Sequence, residues 1–171
     1  PKYGTEQVTV AFFGIFYVAV MFSYLYQVRA MADGKYLVWL IFLSSWGCDT
    51  CAYCVGMLLG KHKLAPVLSP KKSIEGAVGG VVGAALLGLL YASLFGHEMT
   101  DVANPHLACA AACGIAAVIS QIGDLAASAI KRNHEVKDYG HLIPGHGGVL
   151  DRFDSMLFTA PAIYFALTFL K

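Results

Sequence analysis

The sequence predicts an all-α protein, a polytopic transmembrane helical bundle with about five spanning helices. Three observations predict it. Of the 171 residues, 57% are hydrophobic and only 13% are charged, where a soluble domain carries about 25% charged residues. The mean hydropathy is accordingly high, at +0.62. The apolar residues fall in long runs, and most of the charges gather between those runs.

Crossing a hydrocarbon core of ~30 Å takes about 20 apolar helical residues. Residues 8–28 supply 21 without a charge. Residues 36–60 form a second run, interrupted only by Asp49. Residues 76–95 form a third, rich in Gly and Ala, and residues 106–130 a fourth, interrupted by Asp124. Residues 155–170 form a fifth, short and containing Pro161. No soluble domain fits between them, so residues 1–171 read as one membrane-embedded domain. The third run pairs Gly76 with Gly80 and Gly79 with Gly83, and the fourth carries Ala108, Ala112 and Ala116. Small residues at this spacing let helices approach closely in lipid, within a bundle or a homodimer.

The net charge of +1 says little about partners, and nothing in the pattern calls for a nucleic acid. The placement of the charges says more. With five spans, the N-terminus and the loops 61–75 and 131–154 share one side, which holds nine Lys and Arg against three on the other. The positive-inside bias puts both long loops in the cytoplasm. The five cysteines, three of them in "CDTCAYC", all lie inside apolar runs. They read as small, polarisable packing residues rather than as metal ligands or disulfides.

Acids in apolar runs are costly and mark candidate sites. Asp124, in "SQIGDLAAS", lies about two turns before Lys131, roughly 9 Å below the cytoplasmic end at 1.5 Å per residue. Asp151 and Asp154, in "LDRFDS", share one helix face at i, i+3, although Asp154 or Ser155 could also simply cap the fifth helix. Acids from two helix ends at one membrane depth make an oxygen cage suited to Mg²⁺, one ion or two. Lys131, Arg132, Lys137 and Arg152 flank those acids. Lys71 and Lys72, in "LSPKKSIEGA", precede the Gly-rich helix, whose N-terminal N–H groups favour phosphate, and Glu75 could pair with one of the lysines. In "PGHGG", Gly147 and Gly148 allow backbone to approach a ligand, and His141 and His146 are too sparse for zinc. Hard acids among many cations point to phosphoryl chemistry at a membrane surface.

The stretch "SAIKRNHEVKDYGHLIPGHGGVLDRFD", residues 128–154, resembles the C-terminal motif of the phosphatidate cytidylyltransferase (CDP-diacylglycerol synthase) family. Ser128, Lys131, Arg132, Lys137, Asp138, Gly140, Ile143, Pro144, His146, Gly147, Gly148, Asp151, Arg152 and Asp154 all fit its spacing. Residues 46–80 resemble the same family. The resemblance implies an integral membrane enzyme of phospholipid biosynthesis that makes CDP-diacylglycerol and pyrophosphate from CTP and phosphatidate with Mg²⁺. It implies Asp124 and Asp151 as metal ligands, with Asp154 an additional one. It implies that Lys131, Arg132, Lys137 and Arg152 hold phosphates, with His146, Gly147 and Gly148 on substrate, and that Ser69, Lys71 and Lys72 contact CTP or the lipid phosphate. Asp49 matches the family's Asp without a clear role. Pro1 is not an initiator Met, and the family usually has further N-terminal spans, so the chain is expected to be the C-terminal part of a longer enzyme. Two other functions fit parts of the pattern: a CTP-dependent polyprenol or dolichol kinase, and a transporter using Asp49 and Asp124.

Overall fold

The computed structural model describes residues 4–136, 138–140, 148 and 150–170, with Arg152 described in its backbone only. Five helices are long and apolar enough to cross a membrane: α1 (Thr5–Arg29), α2 (Gly34–Leu59), α3 (Ile74–Phe95), α4 (Pro105–Asn133) and α5 (Leu150–Leu170). A π-helical segment interrupts α1 at Ile15–Val20 and α2 at Leu43–Gly47. The expected spans are all present. Among the described residues the additions are a two-stranded antiparallel hairpin, β1 (Lys63–Ala65) with β2 (Ser69–Ser73), between α2 and α3, and one 3-10 turn at Gly96–Glu98 after α3.

The helix starts are written locally. Ser73 caps α3, its hydroxyl accepting from the Gly76 N–H at 3.1 Å. Asn104 caps α4 by accepting from the Leu107 N–H at 3.2 Å, with Pro105 in the first turn, where its missing N–H costs nothing. The small-residue stripes are used inside the chain. A Cβ on Gly80 would lie 2.9 Å from the Cys48 sulfur, and one on Gly88 only 2.6 Å from the Cys109 carbonyl oxygen. Gly76, Gly80, Ala84, Gly88 and Ala92 therefore form the buried face of α3, which lets α2 and α4 pack closely on it. Ala108, Ala112 and Ala116 are likewise buried on α4. The main core lies between α2, α4 and α5, with Leu40, Ile41, Met156, Ile163 and Leu167 fully enclosed.

The far end of the bundle is pinned by polar contacts. The Asp33 carboxylate accepts the Asp101 N–H at 2.7 Å, and Tyr91 donates to the Tyr36 carbonyl at 3.0 Å. Cys48, Cys109 and Cys113 are buried and all five cysteines are free, in keeping with a packing role.

Candidate functional site

The hairpin is fixed against the bundle by Glu75. Its carboxylate accepts the backbone N–H groups of Lys61 and His62 and contacts His62 Nδ1 at 2.6 Å. The expected pairing of Glu75 with Lys71 or Lys72 does not occur among the described contacts. Glu75 instead ties the start of α3 to the strand entry, which leaves both lysines free to face the site.

Behind the hairpin a cavity of about 650 Å³ opens. Its polar lining includes Asp49 and Tyr53 from α2, Lys63 from β1, Ser69, Lys71, Lys72 and Ser73 from β2, and Gln121 and Asp124 from α4. Glycines make the room. Gly56 and Gly76 cross so closely that a Cβ on Gly76 would lie 3.1 Å from the Gly56 Cα. The Lys72 ammonium is ion-paired with the Asp124 carboxylate, each side chain about a quarter exposed. Ser69, Lys71, Lys72 and Asp124 are thus brought together from segments about fifty residues apart.

A second charge cluster lies between α4 and α5. Lys131 Nζ is 3.1 Å from Asp151 and 3.3 Å from Asp154, with all three side chains largely buried. Asp151 also accepts the Tyr139 N–H at 2.8 Å and the Gly148 N–H at 2.9 Å. Burial opposes its ionisation. The Gly148 N–H, the Lys131 ammonium and the Tyr139 N–H outweigh that and hold the carboxyl below its usual value. The Lys131 ammonium also lies 5.0 Å from the centre of the Tyr139 ring. The i, i+3 spacing puts Asp151 and Asp154 on the same cation. Because α5 begins at Leu150, Asp154 stands in its second turn and does not cap it.

Asp49 and Asp124 line the same cavity, while Asp154 lies with Asp151 on Lys131. Among the described residues no three of His, Cys, Asp and Glu gather closely enough to hold a metal ion. Lysines neutralise the acids instead. Arg132 is exposed. Lys137, His141, Pro144, His146 and Gly147 lie outside the described residues, as does the Arg152 side chain.

Two polar residues escaped the sequence reading. Gln121 donates from Nε2 to the Ala77 carbonyl at 2.9 Å and contacts the Cys48 sulfur at 3.4 Å, tying α4 to α3 beside the cavity. Its place three residues before Asp124, on the same face of an apolar helix, was the available signal. Tyr17 is the one buried residue of the Ile15–Val20 segment, its ring 5.8 Å from Phe158. Its hydroxyl is buried without a hydrogen-bond partner among the described residues. A single Tyr in an apolar run gives no such signal.

Five helices long and apolar enough to cross a membrane, with lysines and acids gathered around a cavity at one end, define a membrane-embedded helical bundle with a charged site. The chain belongs to the Cytidylyltransferase family, whose model matches residues 1–170. It is 38% identical over 152 residues to the phosphatidate cytidylyltransferase of Bacillus subtilis (strain 168), covering 88% of this chain and 55% of that protein. It is 41% identical over 152 residues to the phosphatidate cytidylyltransferase of Staphylococcus saprophyticus, covering 87% and 55% respectively. To that of Staphylococcus aureus (strain COL) it is 40% identical over 149 residues, covering 86% and 54%. The chain spans about half the length of the curated relatives it matches.

Proposed function

We propose that the intact protein transfers the cytidylyl group of CTP to phosphatidate, forming CDP-diacylglycerol and releasing pyrophosphate. A phosphate oxygen of the lipid attacks the α-phosphorus of CTP. The bond from that phosphorus to the α–β bridging oxygen breaks, and its electron pair leaves with pyrophosphate. The observation that carries this reading is the cavity in which Ser69, Lys71 and Lys72 meet Asp49 and Asp124, in a chain of the Cytidylyltransferase family.

Phosphoryl-group transfer asks mainly for positioning and charge neutralisation. Lys71 and Lys72 carry flexible ammonium groups suited to phosphate oxygens, and the Ser69 hydroxyl can donate to one. Lys131, the exposed Arg132, Lys137 and Arg152 would gather the remaining phosphate charge, with His146, Gly147 and Gly148 beside the substrate. Both charged loops would face the cytoplasm, where CTP is found.

Asp124, Asp151 and Asp154 offer hard carboxylate oxygens, the donor type Mg²⁺ takes. Asp124 sits on Lys72, and Asp151 with Asp154 on Lys131, and among the described residues no three acids stand close enough together for one ion. Asp124, Asp151 and Asp154 would hold Mg²⁺ only with those lysines drawn off onto phosphates, and the ion would then supply charge neutralisation for the triphosphate. Asp151 is already held in place by the Tyr139 and Gly148 N–H groups.

A transporter would spread its acids through the membrane depth. Here Asp49 and Asp124 share one cavity and Asp151 and Asp154 share one lysine, which favours the transferase. The test is to incubate the intact protein with α-³²P-labelled CTP and dioleoyl phosphatidate, with and without EDTA. The expected result is label in the lipid, release of pyrophosphate, and loss of both with EDTA. Release of CDP, with the γ-phosphate moving to an alcohol, would contradict the proposal in favour of a kinase.

A further inference from the structure

The polar cavity has an apolar extension. Leu64, Ala77 and Gln121 line both the cavity and a groove of about 370 Å³ between α3 and α4. The walls of the groove are Val78 and Val82 from α3 with Val118, Ile122 and Leu125 from α4. Its direction follows from the helices. α3 starts at the hairpin, so Ala77 lies beside the cavity and Val82 about 8 Å further along the axis. α4 runs the opposite way, with Asp124 in the cavity and Val118 deeper. The groove therefore leads from the lysines toward the membrane interior.

Its composition is uniform for a physical reason. The glycine face of α3 is turned to α2 and to the upper part of α4, which leaves its valines outward; Val78, Val82, Val118 and Ile122 are each about half exposed. Gln121 spends its amide on the Ala77 carbonyl at the mouth, so no polar side chain lies beyond that point. A water-soluble anion has no use for the groove, and an apolar ligand has no use for Lys71 and Lys72. A molecule with an anionic head and an apolar tail uses both.

We propose that the α3/α4 groove seats an acyl chain of the lipid whose phosphate occupies the cavity. The proposal rests on the reading of an acidic lipid as substrate. It makes Val82 and Ile122 determinants of chain-length preference. A Trp at either position fills the groove without touching the polar lining, and Val82 and Ile122 are each about half exposed, so the buried core of the bundle is left alone.

The experiment compares dioleoyl with dihexanoyl phosphatidate in the intact protein. Val82→Trp and Ile122→Trp should each lower the ratio of their kcat/KM values, long chain over short, by about tenfold, the worth of roughly two buried methylenes. Leu90→Trp, at an exposed position of α3 outside the groove, should leave the ratio unchanged. An unaltered ratio in both groove variants, or an equal change in Leu90→Trp, overturns the proposal. A second readout is independent of turnover. Phosphatidate carrying a diazirine on its acyl chain should label residues 77–82 and 118–125, and phosphatidylcholine with the same chain should not. Equal labelling by both lipids would mean that the groove meets only bulk lipid, and the proposal would fail. Labelling by phosphatidate without any CDP-diacylglycerol formation would instead overturn the proposed reaction and leave the groove assignment standing.

Discussion

Lys131 holds two acids at once, and its contacts with Asp151 at 3.1 Å and Asp154 at 3.3 Å are largely closed to solvent. Removing one partner of a buried ion pair costs more than the pair contributes, because a charge is left stranded. Lys131→Met should therefore destabilise the protein by roughly 3 kcal/mol. Lys72→Met should cost less, since Lys72 and Asp124 remain partly hydrated. The two variants can be compared by their thermal midpoints in the same detergent; equal losses would contradict the difference in burial. At this scale the sequence was informative about identity and silent about partnership. Asp124, Asp151 and Asp154 stood out because carboxylates are rare in apolar runs. That Lys72 would pair with Asp124, and Lys131 with the other two, depends on helix packing that no local pattern encodes. Gln121 was passed over because its amide is uncharged, although in a membrane helix it too must find a partner.

The helices were legible because a membrane span has one dominant requirement, length in apolar residues, and the five runs meet it. Their ends were less so. α5 begins at Leu150, earlier than the apolar run suggests, because Asp151 and Asp154 are tolerated in a helix packed against α4, whose Lys131 neutralises them. The hairpin was hidden in a polar loop, since three- and five-residue strands leave too little alternation to read. The glycine stripe was read correctly as a packing device, but the partner of each glycine was not readable. Those partners now separate positions that look alike in sequence. A Cβ at Gly88 would lie 2.6 Å from the Cys109 carbonyl oxygen, while one at Gly114 would meet the Ala85 Cβ at an ordinary 3.6 Å. Gly88→Ala should force α3 and α4 apart and cost about 1–3 kcal/mol. Gly114→Ala should be neutral or stabilising by up to about 1 kcal/mol, because Ala is the better helix former. Chemical denaturation in mixed micelles measures both, and a stabilised Gly88→Ala would contradict the close α3/α4 crossing.

The molecule as a whole is polarised. One end is closed by hydrogen bonds to backbone groups, Asp33 accepting the Asp101 N–H and Tyr91 donating to the Tyr36 carbonyl. The other collects the lysines and acids around a cavity with a polar mouth and an apolar branch. Such a layout suits two anionic substrates, one arriving from water and one from the bilayer. The segment between α4 and α5, rich in glycine and charge in the sequence, leads from Lys131 to Asp151 and so joins the chemistry of both helices. The central claim is that this end performs cytidylyl transfer with Asp151 in the machinery. Asp151→Asn tests it most directly. The amide keeps the size and an acceptor for the Tyr139 and Gly148 N–H groups, and Asp154 still neutralises Lys131. The measurement is the rate of CDP-diacylglycerol formation from CTP and phosphatidate by Asp151→Asn in the intact protein, with a thermal midpoint confirming the fold. The account predicts a folded protein with a loss of more than about a hundredfold. A folded variant that works within a few-fold of the unaltered protein would contradict it.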